Sequence, residues 1–200
     1  MTEFKGKRAT YADLEAVSPL LVAEIIDGEL VTHPRPSPRH GVAASALSAE
    51  LSGPFQKGEG GPGGWIFATE PELHLGPHVI VPDIAAWRRE HLPVAPETSY
   101  FETTPDWVCE ILSASTERRD RGAKRRIYLE AGVGHLWLLD PRVQVLETFV
   151  NSKEEWRLKG TWSADENVCC PPFEAIVFNL ADLWPLDPPL SGLQEDKAGY

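Results

Sequence analysis

The stretch PDWVCEILSASTERRDRGAKRRIYLEAGVGHLWLLDP, residues 105–141, decides the fold. Its two ends, PDWVCEIL and HLWLLDP, are short apolar runs that predict buried strands. The polar segment between them predicts a helix that is capped near Ser115 or Thr116 and ended by Gly132. A strand–helix–strand unit of this kind predicts a parallel pair of strands joined by a right-handed crossover.

Upstream of this unit, the sequence predicts further strands and a hairpin. WIFATEPELHL (65–75) and HVIVPDIAAW (78–87) each predict a strand, with a Gly-Pro turn between them. The pair Asp27-Gly28 stands between apolar β-formers, which is a strong hairpin signal. These hairpin-like steps predict antiparallel neighbours beside the parallel pair.

Two helices are predicted nearer the N-terminus. A short one covers residues 10–17 and is opened by Thr10. A longer one follows Ser37, takes Pro38 into its first turn and repeats apolar residues at helical spacing as far as Leu51.

The C-terminal part adds two further predicted strands as antiparallel neighbours, VQVLETFV (143–150) and EEWRLKG (154–160). The last stretch has prolines and charges without a period, and it predicts a flexible tail over 185–200. The elements together predict an α/β fold, with a mixed sheet flanked by helices and an N-terminal helix and hairpin. We expect one domain over residues 1–184, with its core at about residues 24–141.

Composition excludes several classes of protein. A hydrophobic content of 42 % and seven tryptophans indicate a folded globule. No run approaches the roughly 18 apolar residues of a membrane helix, and the N-terminus has no apolar signal-peptide core. We therefore expect a cytoplasmic protein that does not bind membranes. Cys109, Cys169 and Cys170 form neither a disulfide framework nor a CxxC zinc pair.

The net charge of −11 counts against a protein that coats nucleic acid nonspecifically, because phosphate binding relies on Lys and Arg. It does not exclude an enzyme that acts on nucleic acid. Carboxylates around a metal add negative charge, and a local basic patch can still guide the substrate.

Two carboxylates fall within apolar strand sequence. Glu110 shares a strand face with Asp106 and Val108 and stands between Cys109 and Ile111. A carboxylate in such surroundings is at least partly buried, and it then needs a cation, a proton or hydrogen bonds. The same argument applies to the carboxylate of Asp83, which follows VIVP and precedes IAAW.

A lysine continues the apolar stripe of the predicted helix. Steps of three and four residues back from Ile127 and Tyr128 lead to Lys124 and then to Asp120. The ammonium of Lys124 could therefore lie near the carboxylate of Glu110. The opposing interpretation is that Lys124 extends from a partly buried helix face to solvent.

Two carboxylates and a lysine suit metal-assisted phosphodiester hydrolysis. Asp83 and Glu110 would hold Mg²⁺, or Mn²⁺, through hard oxygen ligands. Lys124 would stabilise charge that develops on the phosphate. The arginines of the basic run could grip the substrate backbone, although a solvated helix face is the simpler interpretation. These arginines are Arg118, Arg121 and Arg125.

The sequence resembles a known family at these same residues. The pieces EIIDGEL, PSPRH, VPDIA, PDWVCEILSASTERRD, GAKRRIYLEAGV and HLWLLDP resemble the Uma-type putative restriction endonucleases, a bacterial family of the PD-(D/E)XK nuclease superfamily. The matched pieces spread over residues 24–141. The resemblance implies a restriction-endonuclease-like core, with Asp83 as the first acidic residue of the superfamily and Glu110 as the second.

One position departs from the superfamily pattern. The superfamily lysine stands two residues after the second acidic residue, and Leu112 occupies that position here. The resemblance implies that the lysine has moved to the following helix, at Lys124.

Four further residues are weaker candidates. Glu24 and Glu29 flank the hairpin turn and could contribute a ligand, although a surface position is favoured. His40 heads a helix, where a solvent-facing or capping role is the common one. Asp106 shares a face with Glu110 but lies at the edge of its strand.

Three functional hypotheses remain open at this point. The first is a Mg²⁺-dependent endonuclease that cuts nucleic acid, with DNA favoured over RNA. The second is a nuclease-fold protein that does not cut and serves as a binding or scaffolding module. The third is a metal-dependent hydrolase of a small phosphorylated substrate. Cutting both strands of a duplex commonly recruits two sites, which favours a homodimer, although the sequence shows no clear interface and no base-reading element.

Overall fold

The computed structural model describes residues 8–153 and 155–186, so residues 187–200 of the predicted tail lie outside the described residues. The strands are β1 (Leu21–Ile26), β2 (Glu29–Pro34), β3 (Trp65–Thr69), β4 (Leu73–Leu75), β5 (His78–Ile80), β6 (Ile84–Arg88), β7 (Trp107–Ile111), β8 (His135–Asp140), β9 (Val145–Asn151), β10 (Trp156–Ser163), β11 (Asn167–Val168) and β12 (Phe178–Asn179). The helices are α1 (Tyr11–Glu15), α2 (Pro38–Leu51), α3 (Glu117–Arg119) and α4 (Arg125–Glu130). Shorter helical segments are the π-helical turns Ser52–Lys57 and Asp120–Lys124 and the 3-10 helix Leu180–Leu183.

Two larger sheets organise the described residues. One has six strands in the order β10-β9-β8-β7-β6-β3, and the other has four in the order β2-β1-β5-β4. In the six-stranded sheet, β7 and β8 are parallel, and the other neighbours are antiparallel. The mixed sheet and the parallel pair predicted from residues 105–141 are therefore confirmed.

The chain passes between the two sheets at two points, where the sequence predicted continuous strands. The prediction of one strand over 65–75 is wrong, because it divides into β3 and β4, which belong to different sheets. The prediction of one strand over 78–87 is wrong in the same way, because it divides into β5 and β6. Pro71 and Pro82 stand in the two breaks, and proline has no N–H to donate to a strand ladder.

The two breaks lie next to each other in the fold. The backbone N–H of Glu70 donates to the carbonyl of Asp83 at 2.9 Å, and Glu70 has a positive φ of 46°. The second break therefore places Asp83 at the junction of the sheets rather than inside a strand.

Both faces of β7 are buried, as the alternation of its residues predicted. Trp107, Cys109 and Ile111 belong to the same core cluster as Leu47 of α2. Val108 belongs to the other cluster, which includes apolar residues of α4. A strand covered on both faces has no exposed position for a carboxylate, and this explains the burial of Glu110.

The predicted turns and helix starts near the N-terminus are confirmed. Thr10 and Asp13 form a capping box at the start of α1. The hydroxyl of Ser37 accepts from the N–H of His40, and Pro38 stands in the first turn of α2. The hairpin joins β1 and β2, with Asp27 in its turn. No helix within residues 8–153 and 155–186 is both long and apolar enough to cross a bilayer.

The helix predicted to start near Ser115 or Thr116 is present but not uniform. It consists of α3, the π-helical turn Asp120–Lys124 and α4, and Thr116 makes no side-chain cap. The π-helical turn ends at Lys124, and its two buried residues are Asp120 and Lys124.

A C-terminal segment that the sequence analysis did not resolve completes the core. The ring of Phe173 is in contact with five other aromatic rings, with centroids 4.6–5.7 Å apart. These rings belong to Phe55, Trp65, Phe67, Trp107 and Trp137. Residues that follow the predicted core thus seal one face of the six-stranded sheet.

We expect Phe173→Ala to lower the free energy of unfolding by about 3–5 kcal/mol, because it leaves a cavity among these rings. Urea unfolding monitored by tryptophan fluorescence measures the change. The matched control is Val177→Ala, since Val177 is 65 % exposed, and it should change stability by no more than about 0.5 kcal/mol. Equal losses in the two variants would contradict the packing described.

Candidate active site

A cavity of about 440 Å³ lies at the carboxyl ends of the parallel strands β7 and β8. Open α/β sheets commonly bind ligands at this edge. Its walls come from the β2–α2 connection, the break between β5 and β6, the loop after β7 and the π-helical turn. Asp83, Glu110 and Lys124 all line it. The structure therefore brings together the three residues that the sequence singled out.

The carboxylate of Asp83 is held from two sides. Its Oδ2 accepts the backbone N–H of Ile111 at 2.6 Å. Its Oδ1 lies 3.1 Å from Nε2 of His40, and the Asp83 side chain is 18 % exposed. Asp83 thus joins the end of β7 to the start of α2 while remaining accessible from the cavity.

The carboxylate of Glu110 is almost fully buried, with 2 % of the residue exposed. Its Oε1 accepts from the hydroxyl of Tyr128 and from the ammonium of Lys124, the latter at 2.8 Å. Burial raises the pKa of Glu110 well above its usual value, and the charges of Asp120 and Asp83 add to the effect against the opposing charge of Lys124. A cation beside Glu110 would favour its ionised form.

The ammonium of Lys124 is surrounded by oxygen atoms. It donates to the carbonyl of Val81 at 2.9 Å and lies 3.1 Å from Oε1 of Glu24. Oδ1 of Asp120 is farther away, at 3.9 Å. Burial alone lowers the pKa of Lys124, but the three carboxylates outweigh it, so the pKa is raised and the ammonium stays protonated. Lys124 is 3 % exposed, so the interpretation in which it extends to solvent is wrong.

Glu24 is fully buried, so the surface position favoured from the sequence is wrong. It lies on β1, an inner strand of the four-stranded sheet, and shares a face with Val22 and Ile26. The period-two spacing of these apolar residues was the signal that could have revealed it. Besides Lys124, its Oε1 accepts the backbone N–H of Val81 at 3.0 Å.

His40 is buried as well, with 7 % of the residue exposed, so the solvent-facing role expected from the sequence is wrong. Burial lowers the pKa of its imidazole, but the hydrogen bond and charge of Asp83 outweigh this effect, and the pKa is raised. His40 therefore acts here as a partner of Asp83.

Asp120 lines the cavity, and the sequence analysis did not propose it as a site residue. It is 3 % exposed, and burial raises its pKa. Asp120 lies four residues before Lys124, so the helical spacing that indicated Lys124 could also have indicated Asp120.

A divalent cation fits the charge balance of this cavity. The buried groups include the carboxylates of Glu24, Glu110 and Asp120 and the ammonium of Lys124. The guanidinium of Arg119 lies 3.7 Å from Oε2 of Glu24, and Asp83 adds a fourth carboxylate at the wall. Within the part of the chain that the structure describes, no group of three His, Cys, Asp or Glu side chains is arranged to hold one ion. Mg²⁺ commonly uses one or two carboxylates together with water and substrate phosphates, so Asp83 and Glu110 could serve as its two protein ligands.

A match to a known protein family establishes the family to which this chain belongs. A family model described as "Uma2: Putative restriction endonuclease" matches residues 8–181. The chain belongs to this family. The resemblance seen in residues 24–141 therefore extends over most of the chain.

A solved structure shares the fold of this Uma2 family member. It is described as a putative nuclease belonging to DUF820 from Anabaena variabilis ATCC 29413, with a TM-score of 0.66 and 23 % sequence identity. The match covers 82 % of this chain and 89 % of that one. No curated protein matches the chain.

The remaining candidates from the sequence do not line the cavity. Arg121 pairs with Glu117 and Glu147, and the guanidinium of Arg125 lies 4.4 Å from the ring centre of Phe149. Arg118 and Glu29 are exposed, and Asp106 accepts from the N–H of Arg88 and contacts His91.

Three other arginines line the cavity instead, namely Arg35, Arg39 and Arg142. Arg35 follows β2, Arg39 lies in the first turn of α2, and Arg142 lies in the turn after β8, so only the folded chain brings them to the cavity of Asp83. Arg142 is paired with Asp140 and Glu117, and Arg35 with Glu70. The arginines at the rim of the cavity are therefore not the arginines of the predicted helix.

We expect Lys124→Met to lower the free energy of unfolding by about 3–5 kcal/mol, because it leaves buried carboxylates without their cation. The double variant Lys124→Met/Glu110→Gln should recover part of this loss, since it removes a buried charge together with its partner. Urea unfolding of both variants measures the change.

The control for this experiment is Arg126→Met. Arg126 is 43 % exposed and pairs with Asp27 and Glu130, so its loss should change stability by no more than about 1 kcal/mol. A stable Lys124→Met variant would show that the buried ammonium does not hold the cluster together.

Proposed function

We propose that this chain is a metal-dependent endonuclease that hydrolyses phosphodiester bonds in nucleic acid, with DNA favoured over RNA. The observation that carries the proposal is the convergence of Asp83, Glu110 and Lys124 on one cavity. Membership of the family described as "Putative restriction endonuclease" supports it.

Asp83 and Glu110 would hold the metal, and the rest of the site would orient them. A bound Mg²⁺ or Mn²⁺ ion supplies Lewis-acid polarisation of the phosphate and acidifies a coordinated water. The N–H of Ile111 and the imidazole of His40 fix the carboxylate of Asp83 in one orientation. The positive charge of Lys124 would stabilise the negative charge that grows on the phosphate.

The outer part of the cavity suits a phosphodiester backbone. Hydroxyl groups of Ser113, Ser115 and Thr116 line it together with the three rim arginines. Hydroxyls and guanidinium groups both donate hydrogen bonds to phosphate oxygens. A basic rim can guide a polyanion to the site although the net charge of the chain is −11.

Two further parts of the proposal concern the protein in the cell. Cutting a duplex on both strands favours a homodimer with two such cavities. The three unpaired cysteines are in keeping with a reducing cytoplasm.

A second candidate function is a nuclease-fold module that binds nucleic acid without cutting it. The observation that favours it is the environment of Lys124, whose ammonium already has protein acceptors in Val81, Glu110 and Glu24. An ammonium whose N–H groups all face protein acceptors has no hydrogen bond for a substrate phosphate unless one acceptor is released.

Cleavage assays on plasmid DNA, single-stranded DNA and RNA with Mg²⁺ or Mn²⁺ test the proposal. We expect metal-dependent cutting by the wild-type chain and its loss with EDTA. Asp83→Asn, Glu110→Gln and Lys124→Met should each lower the cutting rate by at least about 100-fold, because each removes a group that stabilises the transition state. Circular dichroism shows whether each variant is folded.

The matched control is Glu147→Gln. Glu147 is aligned with Glu110 through Leu138 of the intervening strand, but it pairs with Arg121 outside the cavity. This variant should cut at the wild-type rate. Nucleic-acid binding without cutting by the wild-type chain, with no metal binding by calorimetry, would favour the second candidate instead.

A further inference from the structure

The ammonium of Lys124 is surrounded by acceptors that belong to the protein. An ammonium has three N–H donors, and three acceptors lie within 3.1 Å of Nζ of Lys124, on Val81, Glu110 and Glu24. For Lys124 to donate to a substrate phosphate, one of these acceptors must give up its hydrogen bond.

Glu110 is the acceptor placed to do so. It lines the cavity, whereas Glu24 does not, and it is the proposed metal ligand. A carboxylate oxygen that turns toward a metal is a weaker acceptor for an ammonium, because the two cations repel each other. The ion pair with Glu24 and the hydrogen bond to the carbonyl of Val81 then remain to hold the lysine.

Glu24 also fixes the segment that carries Asp83. Its Oε1 accepts the backbone N–H of Val81 and forms an ion pair with the ammonium of Lys124 at 3.1 Å, while Lys124 donates to the carbonyl of Val81. These two hydrogen bonds and the ion pair form a closed ring through Glu24, Lys124 and Val81. Asp83 follows two residues later, so the ring couples the lysine to the backbone of the proposed metal ligand.

We propose that Glu24 is a positioning residue that keeps the Lys124 ammonium at the cavity. When Glu110 turns toward the metal, one N–H group of Lys124 becomes available for the substrate phosphate, and Glu24 holds the lysine in place. This inference rests on the proposed function. Glu24 does not contact the substrate and acts through Lys124 and Val81. It contributes the negative charge that retains the lysine when Glu110 no longer does.

Two variants of Glu24 separate this role from a structural one. Glu24→Gln keeps the shape and one neutral acceptor, and Glu24→Met removes both the charge and the acceptor. The control is Asp27→Asn, because Asp27 lies on the same hairpin and joins it to the same helix through an exposed pair with Arg126. Circular dichroism and urea unfolding show which variants are folded at the assay temperature.

The first measurement does not depend on activity. A ¹H–¹⁵N spectrum of the lysine ammonium groups detects slowly exchanging, buried ammoniums, and the Lys124→Met variant assigns the signal. We expect the Lys124 signal in the wild-type chain and in Asp27→Asn, a weakened signal in Glu24→Gln and its loss in Glu24→Met. An unchanged signal in both Glu24 variants would overturn the proposal.

The second measurement is the steady-state rate of cleavage with saturating Mg²⁺. We expect kcat to fall about tenfold in Glu24→Gln and about 100-fold in Glu24→Met, with little change in KM, because the lost donor acts on the transition state. Folded Glu24 variants with wild-type kcat would overturn the proposal. If Glu24→Met does not fold, Glu24→Gln decides.

The two measurements keep this inference distinct from the proposed function. A wild-type chain that shows the protected Lys124 signal but does not cut would refute the nuclease proposal, and the signals of the Glu24 variants would still decide whether Glu24 retains the ammonium. A wild-type chain that cuts, with a kcat insensitive to Glu24, would refute this inference alone.

Discussion

The buried ammonium of Lys124 is the interaction on which the cavity depends. Its partners come from distant parts of the chain: Glu24 from the four-stranded sheet, Glu110 from the six-stranded sheet, and Val81 from the break between them. Several carboxylates in a poorly solvated space repel one another and favour protonation. One cation offsets much of that repulsion and ties the two sheets to the crossover helix. The charge that suits the site to a nuclease is therefore also part of what holds the fold.

The position of Asp83 follows from the way the chain leaves one sheet and enters the other. Pro82 cannot donate to a strand ladder, and Asp83 comes directly after it, free of regular pairing. Its side chain instead accepts the N–H of Ile111 and contacts His40. A carboxylate on a break between strands can face a cavity, whereas a carboxylate inside a doubly covered strand is buried. The two acidic residues thus differ in exposure for a structural reason.

The charged residues of the cavity both stabilise the fold and form the proposed binding site. The groups that would bind a metal and a phosphate form ion pairs and hydrogen bonds with one another when no ligand is present. A ligand therefore has to replace some of these interactions in order to bind. Such an exchange needs groups that stay fixed while others move. In this chain the fixed part is the ring through Glu24 and Val81, and Glu110 is the part that exchanges.

The sequence by itself determined the parallel pair around β7 and β8, the hairpin at Asp27, the helix start at Ser37 and the choice of Asp83, Glu110 and Lys124 as candidates. The hairpin and the helix start follow from turn and capping residues, and the rest follows from apolar runs and from strand and helix periods, which place side chains on defined faces. Only the tertiary structure decided that 65–75 and 78–87 divide between two sheets, that Glu24 and His40 are buried beside the candidates, and that Arg35, Arg39 and Arg142 form the basic rim. These facts depend on contacts between residues far apart in the chain, and the period of one element carries no information about which other element covers it.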